Sequence, residues 1–298
     1  MPSRNLFFLV MSTLLLLDIY LRFSESLTLL TESDVASYAI SDSSLEGLAF
    51  MELPRNISEV FINIGSNLDP ILPPKDSGDK GLTIAFEPIV GCKIKPHEQL
   101  MVVNAAVAAT AGLTSMFIYN EDGVSSSLSK PAVRGHWNSN TKRDGHIQIV
   151  PIITLRQILS AIPKHIAIPY IKTDMQGHDF VAVAASQDLL FQRNVDYLYT
   201  EINFHNQPSY HGVSNDFCTD WWPHMRRVGY DLVYLRPPKR ISMLFSTQRE
   251  LDPKMATEFC AQPIPQETRS GSFTPLAEGN ALWKRKGAAD REFVFEKH

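Results

Sequence analysis

The hydrophobic pattern along the chain predicts a series of short strands that are buried on both faces of a sheet. Nearly continuous apolar runs of this kind lie at Val60–Ile64, Leu82–Phe86, Leu100–Val103, Ile166–Ile168 with Tyr170–Lys172, and Val195–Thr200. Helix-like stretches lie at Leu155–Ile162, His178–Phe191 and Ser214–Val228, the last of them ending before Gly229. Buried strands that alternate with helices indicate an α/β fold with a mostly parallel sheet.

Two other segments predict antiparallel pairing. Leu113–Tyr119 is apolar and ends at Asn120-Glu121-Asp122-Gly123, a sequence typical of a turn. Near the C-terminus, Tyr230–Leu235 ends before two prolines, and either Ile241–Phe245 or Ala281–Trp283 could form a strand beside it. We therefore expect a late segment of the chain to complete the sheet.

Residues 1–27 predict a targeting segment. Arg4 is followed by Leu6–Leu17, which carries no charge, before Asp18 interrupts the apolar run. This length fits the hydrophobic region of a secretory signal better than a membrane span, which needs about 20 residues. The expected location is therefore the secretory pathway, in its lumen or outside the cell. A signal anchor, which would tether the protein to a membrane, and an organelle leader are the alternatives.

The rest of the chain divides into a lead-in at residues 28–58 and one domain at 59–298. This domain contains an excursion rich in Pro, Ser, Thr and Gly at about 262–279. Within the lead-in, Asn56-Ile57-Ser58 is an acceptor sequence for N-glycosylation, which agrees with entry into the secretory pathway.

Composition excludes several classes of protein. The chain has 298 residues, of which 44% are hydrophobic and 20% charged, and its net charge is −4. This balance argues against a disordered chain and against a protein that coats nucleic acid. Its three cysteines, Cys92, Cys218 and Cys260, are too few and too scattered to predict a disulfide framework or a zinc ribbon, and we expect no metal site.

Candidate ligand-binding residues follow the first two predicted strands. A glycine at Gly65 lets the backbone approach a ligand closely, and a carboxylate at Glu87 can accept hydrogen bonds from both hydroxyls of a ribose. Alone, either residue could be a turn glycine or a solvated acid, but their spacing in the sequence is close to the ~20 residues expected for a nucleoside site. Gly65 is followed by Asn67 and Asp69, and the further glycines of a dinucleotide fingerprint are missing, which favours a cofactor with adenosine and no phosphates over NAD.

The order of the segments resembles the FkbM-type methyltransferases, a branch of the class I S-adenosylmethionine-dependent enzymes. The resemblance extends from about Val60 to Phe204, roughly half of the chain, and VPIITL followed by IKTDMQGHD is its most diagnostic part. The segments that carry it are INIGSN (62–67), AFEP (85–88), VVNAAVA (102–108), GLTSMFIYNEDGVSSSL (112–128), VPIITLRQIL (150–159), IKTDMQGHDF (171–180) and YLYTEINF (197–204).

This resemblance implies a Rossmann-like class I methyltransferase fold, with helices on both faces of a mostly parallel sheet and an antiparallel C-terminal strand. It also implies S-adenosylmethionine as the cofactor. Gly65 would lie against its methionine part, Glu87 would hold the ribose, and Asn104 and Ala105 would lie beside the adenine. The full set of implied cofactor-binding residues is Asn63, Gly65, Asn67, Glu87, Asn104, Ala105, Ser126 and Asp174.

The chain departs from the family pattern at three positions. Asn63 replaces a usual acidic residue and so lacks the charge that would attract the cofactor's ammonium group. Asp69 replaces a frequent glycine, and Asp179 replaces the usual glutamate. A non-catalytic methyltransferase-like binding protein is therefore the alternative to an enzyme. A nicotinamide-dependent oxidoreductase is a further hypothesis, which the missing glycines disfavour.

The expected reaction is methylation of an oxygen on a sugar, a glycan or another hydroxylated small molecule. A hydroxyl acceptor benefits from a general base, because its proton becomes acidic as the new bond forms. Asp174 at the end of the fourth strand is the leading candidate for this base, with His178 and His205 as alternatives. We expect no nucleic-acid partner.

Overall fold

The computed structural model describes residues 53–89, 94–119, 123, 126–130, 146–204, 210–236, 253–261 and 278–293. The strands in these ranges are β1 (Glu59–Ile64), β2 (Gly81–Phe86), β3 (Leu100–Val103), β4 (Ala106–Ala108), β5 (Gly112–Ile118), β6 (His146–Thr154), β7 (Ala167–Thr173), β8 (Tyr197–Asn203), β9 (Tyr230–Arg236) and β10 (Glu278–Arg285). The α-helices are α1 (Leu155–Ala161), α2 (Asp179–Ala184), α3 (Gln187–Gln192), α4 (Trp222–Arg227) and α5 (Pro253–Ala261). None of the described helices is long and apolar enough to span a membrane.

Seven strands form the central sheet in the order β3-β2-β1-β7-β8-β10-β9. All neighbours from β3 to β8 are parallel, whereas β10 runs antiparallel to both β8 and β9. The mostly parallel sheet and its antiparallel C-terminal strand are therefore confirmed, and the order fits a Rossmann-like methyltransferase fold. The placement of helices on both faces stays a prediction.

The order of the strands reverses between β1 and β7. From β1 the chain adds β2 and β3 on one side, and it then crosses back to place β7 and β8 on the other. In open α/β sheets, ligands bind beyond the carboxyl ends of the strands at such a reversal. The fold therefore locates the candidate site at the carboxyl ends of β1, β2 and β7.

Strand β1 is buried on both faces, as its apolar run predicts. Val60, Ile62 and Ile64 belong to the main hydrophobic core, which also contains apolar side chains of α1. Phe61 points to the other face, where it belongs to a smaller cluster with Tyr170. Burial of alternate side chains on both faces fixes the register of β1, because a slip of one residue would exchange the two sets.

A second sheet has three strands in the order β4-β6-β5. β5 pairs antiparallel with β6 over seven residues, from Gly112 opposite Ile152 to Ile118 opposite His146. The antiparallel pairing predicted for Leu113–Tyr119 is therefore confirmed. Most of the predicted turn after this segment lies outside the described residues.

The helices differ from the sequence pattern in two places. The stretch predicted as one helix from His178 to Phe191 forms α2 and α3, because the hydroxyl of the buried Ser186 donates to the carbonyl of Ala182 and the chain leaves the helix there. The stretch predicted from Ser214 begins only at Phe217–Trp221, a π-helical turn that leads into α4.

Two further predictions, the helix end at Gly229 and a late strand of the sheet, lie within the described residues, and three others lie wholly or largely outside them. Gly229 has φ +88° directly after α4, which agrees with its predicted role in ending the helix. Ala281–Trp283 lies in β10 and forms the late strand of the sheet. The competing segment Ile241–Phe245, the targeting segment at residues 1–27 and nearly all of the excursion at 262–279 lie outside the described residues.

A disulfide joins Cys218 and Cys260, a pair that the sequence did not indicate. The two residues are 42 positions apart and their Cα atoms are 5.4 Å apart. The bond fastens the π-helical turn before α4 to α5. A cross-link over a loop of this length restricts the unfolded chain and thereby stabilises the folded one.

Replacing Cys218 by Ser should lower the free energy of unfolding by about 2–4 kcal/mol, because the loop is no longer closed in the unfolded state. Chemical denaturation of Cys218→Ser, Cys260→Ser and the double variant would measure this loss. All three should be equally destabilised, and Cys92→Ser serves as the control. Additive losses in the double variant, or a wild-type stability that a reductant does not change, would contradict the disulfide.

Candidate active site

The register of the parallel strands aligns four of the predicted site residues. Ile64 of β1 lies opposite both Phe86 of β2 and Thr173 of β7, and Phe86 lies opposite Val103 of β3. The first residues beyond these positions therefore meet at one edge of the sheet. They are Asn104, Glu87, Gly65 and Asp174, in the spatial order of their strands.

Gly65 allows the ends of β1 and β7 to approach each other closely. Its φ is +69°, and a Cβ atom on it would lie 1.9 Å from the carbonyl oxygen of Asp174. The backbone N–H of Gly65 donates to the carbonyl of Phe86 at 2.9 Å, and the N–H of Asp174 donates to that of Ile64 at 3.0 Å. A side chain at this position would separate the two strand ends, so only glycine fits.

The carboxylate of Glu87 is almost completely buried, with 4% of the residue exposed. Its Oε2 accepts from the backbone N–H of Asn67 at 2.6 Å, and its Oε1 accepts from that of Ile89 at 3.1 Å. Burial raises the pKa of Glu87, and the negative charge of Asp174 raises it further. Each oxygen of an ionised carboxylate has more than one acceptor position, so both can still receive a hydroxyl donor.

The other predicted adenosine contacts lie beside Glu87. The side-chain N–H of Asn104 donates to the carbonyl of Glu87 at 3.1 Å, and Ala105 is buried next to it. Ser126 is also buried, and its hydroxyl accepts from the backbone N–H of Tyr119 at the end of β5. The structure thus brings Asn104 and Ala105 to the edge that carries Glu87.

Asn63 and Asn67 lie on either side of Gly65 in the sequence and differ in their surroundings. Asn63 is fully buried, and its Oδ1 accepts from the backbone N–H of Ile71 at 2.8 Å. Its side-chain Nδ2 has no hydrogen-bond partner within the described part of the chain. Asn67 has φ +49°, which lets its backbone N–H point at Glu87. Asn63 therefore carries a buried donor that no described residue satisfies.

The side chain of Asp174 is 37% exposed, in contrast to Glu87. Its Oδ1 accepts from Nε2 of Gln176 at 2.8 Å, and its Oδ2 lies 3.7 Å from Nζ of Lys172. A partly exposed carboxylate at the end of a central strand can be reached by a second substrate. This arrangement suits a group that binds or deprotonates an acceptor.

Of the two alternative bases, His178 and His205, the structure describes only His178. Nε2 of His178 lies 3.0 Å from the hydroxyl of Ser129, and burial lowers the pKa of His178 to about 4, so its ring is neutral at neutral pH. His205 lies outside the described residues. Asp179 is fully buried, and its pKa is raised by burial and by the charge of Asp174.

Three residues near Asp174 were not predicted as site residues. Gln176 contacts Asp174 directly, Tyr210 donates to Oε1 of Gln176 at 2.6 Å, and Ser129 lies against His178. In the motif around Asp174, the sequence pointed to His178 and Asp179 but not to Gln176. Gln176 has φ +52°, an unusual conformation for a residue with a side chain, and the amino-acid sequence does not reveal it.

Comparison with known proteins agrees with this geometry. The family model of the methyltransferase FkbM domain matches residues 59–232, more than half of the chain, from the start of β1 into β9. No curated protein and no solved structure matches the chain significantly. The matched range contains every predicted cofactor-binding residue, and the chain belongs to the FkbM methyltransferase family.

Proposed function

We propose that the protein uses S-adenosylmethionine to methylate an oxygen atom of a sugar, a glycan or another hydroxylated small molecule. The observation that carries this proposal is the alignment of Gly65, Glu87 and Asp174 at the reversal of strand order. Family membership supports the methyl-transfer chemistry, and S-adenosylmethionine is the usual methyl donor of methyltransferases. The oxygen acceptor is supported by the exposed carboxylate of Asp174.

The residues at this edge fit S-adenosylmethionine. The buried carboxylate of Glu87 can receive both ribose hydroxyls. Beside Gly65, the Nδ2 of Asn63 has no hydrogen-bond partner among the described residues and would be a further donor if the cofactor reached it. Two carboxylates, Glu87 and Asp174, give the edge a negative charge that attracts a sulfonium cation. Asn104 and Ala105 would border the adenine.

The cofactor supplies an activated methyl group, so the protein's main task is to align an acceptor oxygen with it. Asp174 can orient the acceptor hydroxyl and accept its proton, because its carboxylate is partly exposed and is held by Gln176. His178 is the second candidate for this proton. Its neutral ring has a free electron pair, although burial makes it a weak base.

An alternative proposal is a methyltransferase-like protein that binds the cofactor without transferring its methyl group. Asn63 favours this alternative, because its Oδ1 is already occupied by Ile71 and it contributes no negative charge. Cofactor binding together with no methyl transfer to any small molecule or glycan would favour this function over the enzyme.

Replacing Glu87 by Gln should weaken binding of S-adenosylmethionine about 10- to 100-fold, because hydrogen bonds from the ribose to a charged acceptor are lost. Isothermal titration calorimetry would measure the dissociation constant. Glu59→Gln is the matched control, since Glu59 is a half-buried glutamate at the opposite end of β1. It should leave cofactor affinity unchanged. Failure of the wild type to bind S-adenosylmethionine would refute the proposed function.

Replacing Asp174 by Asn should reduce methyl transfer roughly 100-fold or more while cofactor binding persists, because the acceptor loses its general base. The assay follows a labelled methyl group from S-adenosylmethionine into a cell extract of small molecules and glycans. His178→Gln is compared in parallel. If only His178→Gln abolishes transfer, the base is His178 and the role assigned to Asp174 is wrong.

A second proposal concerns the compartment in which the protein matures. The disulfide between Cys218 and Cys260 requires oxidising conditions, which the secretory lumen provides. Asn56, the asparagine of the glycosylation sequence, is exposed in a turn before β1. It lies at the opposite end of β1 from Gly65, so a glycan there leaves the candidate active site accessible. These observations support the proposal that the protein is a glycoprotein of the secretory pathway.

Expression of the full chain in a eukaryotic secretory host should yield protein whose electrophoretic mobility changes after enzymatic removal of N-glycans. Ser58→Ala should abolish this change, whereas Ser58→Thr should preserve it, because threonine also completes the acceptor sequence. Cys218 and Cys260 should resist alkylation until a reductant is added. An unglycosylated product with both thiols reactive would contradict the lumenal location.

A further inference from the structure

We propose that Gln176 and Tyr210 are positioning residues that hold the carboxylate of Asp174 in the orientation needed for methyl transfer. This inference rests on the proposed function. It adds two residues to the site that neither the strand-end alignment nor the sequence motifs assigned. Both act through Asp174 and are not expected to touch the cofactor.

A chain of hydrogen bonds connects the three side chains. The hydroxyl of Tyr210 donates to Oε1 of Gln176 at 2.6 Å, and Nε2 of Gln176 donates to Oδ1 of Asp174 at 2.8 Å. An amide presents a donor on one side and an acceptor on the other. Because Tyr210 occupies the acceptor side, the donor side of Gln176 faces the carboxylate. Tyr210 thereby selects the orientation of the amide that an ionised Asp174 needs.

The backbone of Gln176 is fixed as well. Its carbonyl accepts from the hydroxyl of Ser127 at 2.8 Å, so both ends of the residue are held. Tyr210 is 1% exposed, and its ring packs over Gly177, where a Cβ atom would come within 2.8 Å of it. The glycine therefore makes room for the tyrosine, and the tyrosine orients the residue before the glycine.

The conformation of Gln176 is independent support for a role of its side chain. Its φ of +52° lies in the left-handed region, which glycine adopts most readily. If the turn required only this conformation, glycine would satisfy it without strain, as it does at the next position. A glutamine at a strained position is explained when its amide is needed to bind Asp174.

The test is a double-mutant cycle between Tyr210 and Asp174, which Gln176 links through its two hydrogen bonds. Initial rates are measured for labelled-methyl transfer from S-adenosylmethionine to the cell extract, with the cofactor concentration varied. Tyr210→Phe should lower the apparent kcat about tenfold, as expected for losing one hydrogen bond in a chain that ends on a charged group, while the KM for S-adenosylmethionine stays within about twofold. In an Asp174→Asn background, Tyr210→Phe should have no further effect on kcat.

Two further variants separate positioning from simple stability. Tyr230→Phe removes another buried tyrosine hydroxyl, which donates to the carbonyl of Val195 away from the site. It should lower the midpoint of unfolding without changing kcat. Gln176→Glu should lower kcat at least as much as Tyr210→Phe does, because a carboxylate cannot donate to Asp174. In the double variant Gln176→Glu with Asp174→Asn, the new asparagine can donate to the new glutamate, so the hydrogen bond forms again with donor and acceptor exchanged. The midpoint of unfolding should therefore return to the wild-type value, whereas methyl transfer should stay low.

The outcomes distinguish this inference from the proposed function. A wild-type protein that neither binds S-adenosylmethionine nor transfers its methyl group overturns both. An active wild type whose kcat is unchanged in Tyr210→Phe and Gln176→Glu overturns the inference alone. Equal losses from Tyr210→Phe in the presence and absence of the Asp174 carboxylate would also overturn it, because the tyrosine would then act by another route.

Discussion

The close approach of β1 and β7 at their carboxyl ends is the constraint on which the site depends. The carbonyl of Asp174 occupies the space where a side chain at Gly65 would begin, and the N–H of Asp174 pairs with Ile64. This contact holds the ends of β1 and β7 together at the point where the strand order reverses. The residue after each strand end is therefore placed within the same small region, and the chemistry of the site follows from which residues occupy those positions.

The close approach of the strand ends has an electrostatic cost, because it brings three carboxylates near one another. Glu87 and Asp179 are buried, and the pKa of each is raised first by burial and then by the charge of Asp174. Backbone N–H groups offset part of this cost: Asn67 and Ile89 donate to Glu87, and Met175 donates to Asp179. A cationic ligand would lower the free energy of these carboxylates further, which agrees with the sulfonium cofactor that we propose.

The sequence predicted those features of the fold that local patterns determine. Apolar runs identified the central strands, and the motif order identified the strand-end residues Gly65, Glu87 and Asp174, because each belongs to a short segment of characteristic composition. The break between α2 and α3 was missed because a buried serine that bonds back into its own helix resembles any other helical serine in the sequence.

Long-range pairs were the other features that the sequence could not provide. Cys218 and Cys260 are separated by 42 positions, and nothing local to either residue specifies its partner. Tyr210 follows a polar segment and reaches Gln176 from 34 positions away. Both contacts are consequences of the assembled sheet and its connections, so they become visible only when the fold is known.

A glutamate lies at each end of the sheet, the half-buried Glu59 at the start of β1 and the buried Glu87 after β2. Their surroundings differ, and this difference argues for a ligand beside Glu87. At the start of β1, both carboxylate oxygens of Glu59 accept from the guanidinium of Arg291, at 2.9 and 3.1 Å. Although burial opposes ionisation, these contacts hold the pKa of Glu59 below its ordinary value. At the other end, within the described part of the chain, no lysine or arginine forms a salt bridge with Glu87.

A glutamate that served only the fold would gain from the partner that Glu59 has. Glu87 instead receives two backbone N–H groups, and its pKa is raised. A buried carboxylate that has no cationic partner, as Glu87 has none among the described residues, is destabilising unless something else satisfies it. The remaining acceptor positions of Glu87 lie where parallel α/β sheets bind their ligands. The ribose hydroxyls of the proposed cofactor would satisfy them there.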